Sequence, residues 1–455
     1  MVQLDTLDRL STLDTNAVAD ALDLLGIKGA VYGLRPLWNC PNIAGRVSTV
    51  KFQIKADATP IVPPDTTALS ETTTDGHVLV ISGGIDGVSC SEFVVNSAWK
   101  SNRIRGAVID GLYQAVDDVH EDRCPAYGRG VASISDCSEM MQGDFGLPLK
   151  IRDVIVHQDD YVTADSSGTV FVPAKRIEEV LDVAERINHR RNLLAEAIEA
   201  GRPASDVMND PELQVISRDG RSQAVAVSSN SNPKKSTPET HGLVSMLADV
   251  DTAAVSDALD KLGICGQALG IMPLENYQKV TVGPAFTVRY VPVGQPAGSV
   301  GDFIDDVGEG DVVVIDNGGR TDCTVWGDIM TQYAGLRGIA GTVINGVCRD
   351  VNRAIGDQYP LFTAGHWMRT GKDRVEVGAV NEPVAIGAVR VNPGDIVVAD
   401  ANGVVFIPHH RAREVAEVAQ LIEQSEAGIR EMIVDGATLA KAREVFKYHQ
   451  LQRTE

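Results

Sequence analysis

The chain has 455 residues, of which 44% are hydrophobic and 23% are charged, a composition typical of globular proteins with more than one domain. Its formal net charge of −21 disfavours a nucleic acid or an anionic membrane as the main partner. Seven scattered cysteines without a CxxC pair favour a reducing compartment, and we see neither a secretory leader nor a run of about 20 apolar residues. We therefore expect a cytoplasmic protein.

In chain order, the first half is predicted to contain a helix after Leu13 and strands at 78–82 and 107–109, with Gly83 and Gly84 between them. The second half repeats this order. Its first helix carries Val255, Leu259 and Leu262 at positions i, i+4 and i+7, with Asp251 or Thr252 as the N-cap. The elements predicted after it are strands at 279–282, 285–291 and 311–315, a helix at about 327–336, a strand at 341–344, two strands flanking a turn at 393–395, and a closing helix after Pro408.

The two halves also repeat each other in sequence. Residues 13–27 and 250–264 are identical at eleven of fifteen positions, at an offset of 237 (250 − 13). Residues 162–173 return as 397–408 at an offset of 235 (397 − 162). Because solenoid repeats are only about 20–50 residues long, this period indicates two copies of a whole domain. We predict a first domain at 10–200, a polar, proline-broken linker at 201–240 and a second domain at 241–455.

Two strand ends of the second half carry polar residues that a core does not require. The first is the segment 316–328, predicted to be a loop, which contains Gly318 and Gly319 and enters a helix near Gly327. Paired glycines and a helix N-terminus can direct backbone N–H groups toward a carboxylate or phosphate. A tight strand–helix turn is the alternative interpretation, and no nucleotide is implied because the segment is neither GxGxxG nor a Walker loop.

The second strand end carries Arg349 and Asp350, and Asp328 precedes Arg349 by 21 positions (349 − 328). A hard divalent cation prefers oxygen ligands, and one carboxylate with waters and a chelating substrate suffices for Mg²⁺. A neighbouring guanidinium can hold an enolate or carboxylate oxygen by charge-assisted hydrogen bonds. The alternative from the same residues is an ordinary surface ion pair.

The spacing Asp328-x20-Arg349-Asp350, together with the segments 337–346 and 393–408, resembles the RraA-like superfamily. Within it, the chain is most similar to the metal-dependent 4-hydroxy-4-methyl-2-oxoglutarate/4-carboxy-4-hydroxy-2-oxoadipate aldolases. The similarity covers nearly all of the second domain and, more loosely, the first. It implies an α/β fold class with two tandem RraA-like swivelling β/β/α domains, and a homo-oligomer, as a trimer of two-domain chains or a multiple of it.

The resemblance also implies class II aldol chemistry with Mg²⁺ or Mn²⁺ and assigns roles to residues. Asp350 resembles the metal-binding carboxylate, Arg349 the residue that binds substrate and stabilises the enolate, and Asp328 the carboxylate that orients a metal-bound water. The residues that would bind the oxo-acid end of the substrate are Gly318, Gly319, Gly327 and Ile329, with Arg349.

The chain departs from the family pattern in two places. Arg353 stands where the aldolases usually have an acid, which predicts a change in metal affinity or substrate choice. In the first half, aligning 106–111 with 341–346 puts Gln114 and Ala115 opposite the Arg-Asp pair, with Glu92 near the place of Asp328. Since neither Gln nor Ala supplies the charge that the chemistry needs, we predict that the first domain is catalytically silent.

These observations lead to one main hypothesis and two rivals. The main one is a lyase that cleaves a 4-hydroxy-2-oxo acid to pyruvate and a second carbonyl compound, with oxaloacetate decarboxylation through the same enolate. The first rival is a non-enzymatic regulator that binds a ribonuclease or another protein, like other members of the superfamily. The second is a structural tandem with a vestigial site.

Overall fold

The chain divides into two compact units. The first contains Met1–Asn192 together with Trp367–Arg369, and the second contains Leu193–His366 together with Thr370–Glu455. Gly84 and most of the predicted linker lie outside the described residues. No helix in the part of the chain that is described is both long and apolar enough to cross a membrane. This computed structural model describes residues 5–54, 73, 76–83, 92–101, 104–132, 140–203, 206–207 and 238–448.

The described residues of the first half form five α-helices and thirteen strands. The helices are α1 (Thr6–Ser11), α2 (Thr15–Leu24), α3 (Glu92–Lys100), α4 (Val116–Glu121) and α5 (Ile177–Glu199). The strands are β1 (Ala30–Val31), β2 (Arg35–Pro36), β3 (Ile43–Ile54), β4 (His77–Ser82), β5 (Ile104–Ile109), β6 (Leu112–Tyr113), β7 (Ala126–Gly128), β8 (Gly130–Val131), β9 (Met140–Phe145), β10 (Leu149–Ile151), β11 (Val154–Val156), β12 (Tyr161–Asp165) and β13 (Gly168–Val172).

The main sheet of the first unit has the strand order β1-β13-β12-β3-β4-β5-β7-β2, with β9 paired to β3. Strands β3, β4, β5 and β7 run parallel to one another, whereas β12 is antiparallel to both β3 and β13. All six residues of β4 are buried, as expected of a parallel strand that is covered on both faces. The unit is therefore mixed α/β, as predicted.

The second half has the same order of elements. Its helices are α6 (Pro238–Leu247), α7 (Thr252–Lys261), α8 (Asp328–Leu336), α9 (Val351–Gly356), α10 (Ala412–Val434) and α11 (Leu439–Val445). Its strands are β14 (Met272–Pro273), β15 (Thr281–Pro292), β16 (Val312–Thr324), β17 (Gly341–Cys348), β18 (Leu361–His366), β19 (Val375–Val380), β20 (Val384–Ile386), β21 (Val389–Val391), β22 (Ile396–Asp400) and β23 (Gly403–Ile407).

The sheet of the second unit positions the candidate site. Its strand order is β14-β18-β17-β16-β15-β22-β23, with β19 paired to β15, and β15 to β18 are parallel neighbours. Helix α8 follows β16 and helix α9 follows β17. Because the carboxyl ends of parallel strands meet at one edge, the residues that follow β16 and β17 lie close together.

The repeated segment 250–264 forms helix α7, with Asp251 rather than Thr252 as its N-cap. The side chain of Asp251 accepts a hydrogen bond from the N–H of Ala254 at 2.8 Å. In the first half, Asp14 caps α2 in the same way through the N–H of Ala17 at 2.7 Å. The duplicated sequence therefore encodes the same capped helix twice.

Two predicted boundaries of the second half are wrong. The predicted strands 279–282 and 285–291 form the single strand β15, which pairs with β22 as far as Pro284 and with β16 from Ala285 onward. Proline is tolerated there because the strand changes its partner at the residue that lacks an N–H. The segment 316–328 is not mainly a loop: β16 continues to Thr324, with register irregularities between Asp316 and Thr324.

Candidate functional site

Asp350 lies at the end of β17, directly before helix α9. Its backbone is left-handed, with φ 58° and ψ 38°, and such a conformation costs a non-glycine residue of order 1–3 kcal/mol. The N–H of Arg353 donates to the carbonyl of Asp350 at 3.0 Å, which begins the helix. A strained aspartate at a strand end is typical of a position where the side chain has a function beyond packing.

The side chains of Arg349 and Asp350 form a mostly buried pair. The Nε of Arg349 is 3.5 Å from Oδ2 of Asp350, and the two side chains are 17% and 4% exposed. The same Oδ2 accepts the backbone N–H of Asp328 at 3.0 Å. Since a buried carboxylate is costly unless it is paired and hydrogen-bonded, these contacts exclude the alternative of an ordinary surface ion pair.

Gly327 precedes helix α8 and packs directly against this pair. A Cβ atom at Gly327 would lie 2.5 Å from Oδ2 of Asp350 and 3.4 Å from Nε of Arg349. Any larger residue would therefore push the carboxylate away from the N-terminus of α8, whose partial positive charge favours an anion. The structure thus brings Gly327, Asp328, Arg349 and Asp350 together.

The side chains of the first two residues of α8 are held locally. Oδ1 of Asp328 accepts the N–H of Ile329 at 2.8 Å. Ile329 is partly buried and packs against the main hydrophobic cluster of the second unit. Its predicted role in substrate binding stays a prediction, and its side chain has at least one structural role.

Gly318 and Gly319 lie in the irregular stretch of β16, where both are exposed. Their φ angles of 62° and 67° are ones that glycine adopts without strain. The N–H of Gly318 donates to Oδ1 of Asp316 at 2.9 Å, and the amide of Asn345 donates to the same oxygen at 3.1 Å. The N–H of Gly318 thus donates to the carboxylate of Asp316. It does not point toward a substrate anion, as the sequence had predicted it would.

Trp326 and Thr331 also position the site, and sequence reasoning did not identify them. The carbonyl of Trp326 accepts the N–H of Arg349 at 2.9 Å, and its Nε1 donates to Oγ1 of Thr331 at 3.0 Å. That hydroxyl in turn donates to the carbonyl of Gly327 at 3.0 Å. The only sequence signal was a tryptophan directly before the Gly-Asp pair, since the contacts themselves are tertiary.

Arg353, which replaces the acid of the family pattern, does not point its charge at the carboxylate of Asp350. Its Nε lies 2.6 Å from Oδ2 of Asp357, four residues along the chain. The side chains are 40% and 37% exposed, so the pair lies largely in solvent. The positive charge that Arg353 brings is therefore partly neutralised by Asp357, and the predicted change in metal affinity or substrate choice stays a prediction.

The corresponding strand end of the first unit carries no such pair. Helix α4 begins after Ala115, as α9 begins after Asp350, but the backbone of Ala115 has φ −85° and ψ 55°. Gln114 is exposed. Helix α3 begins at Glu92, and both α3 and α8 contain nine residues; the side chain of Glu92 lies outside the described residues. Gln114 and Ala115 therefore supply neither the guanidinium of Arg349 nor the carboxylate of Asp350.

The oxygen donors at the site suit a hard divalent cation. Within the described ranges, no group of three or more His, Cys, Asp or Glu residues could hold a metal ion, which does not fit a zinc site with three protein ligands. Mg²⁺ and Mn²⁺ are commonly held by one or two carboxylates and waters. Asp350, with Asp328 beside it, fits that mode of binding.

The thiol of Cys348 is turned toward the carbonyl of Gly365, with Sγ 3.9 Å from its oxygen.

A sequence model of the family described as "RraA-like: Aldolase/RraA" matches residues 15–171 and 252–406. Protein DlpA of Legionella pneumophila is 40% identical over 227 residues, which are 49% of this chain but only 37% of that protein. A protein of Halalkalibacterium halodurans named "Putative 4-hydroxy-4-methyl-2-oxoglutarate aldolase" is 33% identical over 199 residues, covering 43% of this chain and 90% of the relative.

Solved structures also match about one half of the chain. An uncharacterized protein from Pseudomonas syringae pv. tomato is 44% identical and covers 46% of this chain and 99% of its own, with a TM-score of 0.43. Streptomyces coelicolor RraAS2, described as an unusual member of the RNase ES inhibitor RraA protein family, is 30% identical. It covers 42% of this chain and 96% of its own, with a TM-score of 0.39.

Proposed function

Because this chain belongs to the RraA-like family, whose model matches it twice, we propose that its second half is a divalent-metal-dependent carbon–carbon lyase. The substrate would be a 4-hydroxy-2-oxo acid, and the products pyruvate and a second carbonyl compound. Oxaloacetate decarboxylation, which passes through the same enolate, would be a second activity of the site. The observation that carries the proposal is the mostly buried pair Arg349–Asp350 at the N-terminus of α8.

Asp350 would hold the cation, with Asp328 beside it. When bound, the cation supplies a Lewis acid for the ketone oxygen of the 2-oxo acid. The buried position of the Asp350 side chain, 4% exposed, keeps the carboxylate in one orientation. Its hydrogen bond from the N–H of Asp328 leaves the carboxylate further capacity to accept, since two oxygens offer about four lone-pair sites.

Arg349 would bind the carboxylate or the developing enolate oxygen of the substrate. Its side chain is only 17% exposed, and charge-assisted hydrogen bonds are stronger where water is excluded. Because the backbone N–H of Arg349 is fixed on Trp326, the side chain starts from a rigid anchor. A donor that is already oriented needs little reorganisation as charge develops in the transition state.

Asp328 would receive the proton of the C4 hydroxyl through an ordered water. In the retro-aldol direction this proton must leave as the C3–C4 bond breaks. The Asp328 carboxylate lies in the first turn of α8 and accepts the N–H of Ile329, so its charge is favoured by the helix terminus. Its place next to Asp350 puts the proton acceptor and the proposed cation ligand on the same edge of the sheet.

The test is pyruvate release from 4-hydroxy-4-methyl-2-oxoglutarate and from oxaloacetate, with and without EDTA. Asp350→Asn keeps the shape of the side chain but removes its charge, and we expect kcat/KM to fall by at least about 10³-fold. The exposed Asp249→Asn is the control and should retain full activity. Turnover in EDTA, or an unchanged Asp350→Asn enzyme, would contradict the proposal; no pyruvate from any 4-hydroxy-2-oxo acid would favour the regulator.

A further inference from the structure

The carboxyl edge of the parallel strands in the first unit carries its own pair of charged residues. Asp110 directly follows β5 and Arg129 directly follows β7, and these two strands are parallel neighbours in the sheet. Nη2 of Arg129 donates to Oδ1 of Asp110, and the two side chains are 23% and 14% exposed. In open α/β sheets, ligands bind in the crevice outside this edge.

A second guanidinium reaches the same place from a neighbouring turn. Arg152 lies in the turn between β10 and β11. A Cβ atom placed on Gly33 would be 3.6 Å from Nη1 of Arg129 and 3.7 Å from Nη2 of Arg152. The two nitrogen atoms are therefore at most about 7 Å apart, a span that one oxyanion covers with N–H···O distances of about 2.8 Å at each end.

Arg152 keeps its hydrogen-bonding capacity for a ligand. Its guanidinium carbon lies 5.9 Å from the centre of the Tyr32 ring, a distance at which the face of the ring attracts a cation. The carboxylate of the adjacent residue, Asp153, lies 3.7 Å from Nζ of Lys28 instead. In the described part of the chain, no carboxylate forms an ion pair with the exposed Arg152.

The cluster carries an excess of positive charge. Because Arg129 uses Nη2 for Asp110, its Nη1, which faces Gly33, can still donate. Two guanidinium groups and one carboxylate leave one net positive charge, in a chain whose formal net charge is −21. Like charges at this separation repel each other, and an anion between them replaces the repulsion by two charge-assisted hydrogen bonds.

The backbone at Arg152 favours glycine. Its φ of 54° is left-handed, and its counterpart in the second unit is Gly387 (387 − 152 = 235), with φ 59°. Glycine adopts this conformation without strain, whereas a residue with a side chain does not. Gly33 corresponds to Gly270 at the offset of 237, and a Cβ atom there would meet nothing within 4 Å. The turn can therefore be built without an arginine.

The other two charged residues of the cluster also differ from their counterparts. At the offset of 235, Asp110 corresponds to Asn345 and Arg129 corresponds to Ala364. Three neutral residues of the second unit are thus replaced by charged ones, and all three charged residues meet beside Gly33. Since the fold of the second unit does not need these charges, their meeting at one place points to a ligand.

We infer that Arg129 and Arg152 bind a small oxyanion, a carboxylate or a phosphate group, beside Gly33 in the first unit. Nη1 of Arg129 and Nη2 of Arg152 are the donors, because these are the nitrogen atoms that face the gap. The missing side chain of Gly33 leaves room for the anion between them. This inference does not depend on the proposed lyase activity, because it uses no residue of the candidate site.

The test is titration calorimetry of the full chain with sodium malonate, sodium phosphate and sodium sulfate, at an ionic strength held constant with sodium chloride. The chain carries Arg349→Gln, so that the candidate site does not contribute its arginine. We expect saturable binding of one anion per chain. Tighter binding of malonate than of phosphate would identify a carboxylate as the ligand group, and the reverse order a phosphate.

Arg152→Gly in this background should weaken the binding by at least about 10-fold, because one of the two donors is lost. The variant should fold, since glycine is the residue that the second unit has at this turn. Arg152→Lys should recover only part of the affinity, because an ammonium group lacks the fork of donors. Asp110→Asn with Arg129→Ala, the residues of the second unit, should also weaken the binding without leaving an unpaired carboxylate.

Arg123→Gly is the matched control. Arg123 is exposed and left-handed, with φ 53°, but it lies before β7, at the opposite end of that strand from Arg129. The control therefore removes the same charge from the same kind of backbone and should bind the anion normally. Circular dichroism checks that all variants melt like the parent chain.

Three results would overturn the inference. The first is a parent chain that binds none of the three anions saturably above the chloride background. The second is an Arg152→Gly variant, with an unchanged melting curve, that binds as tightly as the parent. The third is an Arg123→Gly variant that loses as much affinity as Arg152→Gly, because the binding would then reflect surface charge rather than a site beside Gly33.

Discussion

The two units keep the same framework, which can be seen at one pair of buried carboxylates. In the first unit, Oδ2 of Asp165 accepts the N–H of Thr15 at 2.9 Å and Oδ1 accepts its hydroxyl at 2.7 Å. In the second, Asp400 accepts the same two groups of Thr252 at 2.8 Å and 2.6 Å. Each carboxylate ties the end of a strand to the start of a helix, β12 to α2 and β22 to α7.

A second pair of carboxylates is repeated in the turn before these strands. Asp160 accepts the N–H groups of His157 at 2.8 Å and Ala174 at 2.9 Å. Asp395 accepts those of Asn392 at 2.8 Å and His409 at 3.0 Å. Both halves thus retain these acids, because an apolar side chain in their place would leave the backbone N–H groups without this acceptor.

The units differ at the strand end that precedes α4 in one and α9 in the other. There the second unit has Arg349 and the left-handed Asp350, whereas the first has Gln114 and Ala115. The framework does not need the charged pair, since the first unit builds the same strand and helix without it. Comparing two copies within one chain therefore separates residues that support the fold from residues whose presence needs a functional reason.

The largest expected effect comes from giving the second unit the residues of the first. Arg349→Gln with Asp350→Ala should lower kcat/KM for pyruvate release by at least about 10³-fold, because both the donor and the carboxylate are lost. The coupled assay with lactate dehydrogenase measures this. Adding Gln114→Arg and Ala115→Asp should not restore activity, and a restored rate would show that these two residues alone keep the first unit silent.

The next effect is on stability. Asp400→Asn replaces an acceptor of three donors, the two groups of Thr252 and the N–H of Asn402, by an amide whose NH₂ faces a donor. We expect the free energy of unfolding of that unit to fall by about 2–3 kcal/mol, measured by thermal and urea unfolding. Asp165→Asn should do the same to the first unit, while the exposed Asp249→Asn should have no effect. A loss of stability in only one of the two units would show that the hydrogen bonds of Asp165 and Asp400 are not equivalent.

A smaller effect is expected at Gly327. The Cβ of Gly327→Ala would lie 2.5 Å from Oδ2 of Asp350 and would displace the carboxylate, so kcat should fall by about 10- to 100-fold. Gly335→Ala in the same helix is the matched control, since a Cβ there meets nothing within 4 Å; it should be neutral or slightly stabilising. Equal activity of the two variants would show that the close approach does not matter for the reaction.

The smallest effect concerns Asp311, the residue directly before β16. In the first unit, the corresponding position is that of His77, the first residue of β4. Burial raises the pKa of Asp311 from 3.8 to about 6, although a hydrogen bond from the N–H of Gly308 opposes the shift. The folded state therefore binds the proton more tightly than the unfolded state, and stability falls as the pH rises from about 4 to about 6 and stays lower above that.

Asp311→Asn removes this titration and keeps an acceptor for the N–H of Gly308. The variant should be more stable than the wild type by about 1 kcal/mol at pH 8, and the difference should shrink below pH 4. Urea unfolding at several pH values measures it. A difference that does not vary with pH would mean that the carboxyl keeps its ordinary pKa in the folded protein.

Much of the fold and site could be predicted from the sequence where the signal is local. The repeat at 250–264 predicted α7 because a capping acid and an apolar period are encoded within one helix. The continuation of β15 through Pro284 and of β16 past Gly318 could not be predicted, because whether a strand continues depends on its partners in the sheet. The same holds for Trp326, whose carbonyl meets Arg349 only in the folded chain.

By itself, the sequence determined that the chain contains two copies of one α/β domain and that only the second has an Arg-Asp pair after a parallel strand. It did so because repeats, caps and residue types are properties of neighbouring positions. Only the tertiary structure decided that this pair is buried against Gly327, and that β16 continues past Gly318 to Thr324. Burial depends on which distant segments pack against a residue, and that information is absent from any short stretch of the chain.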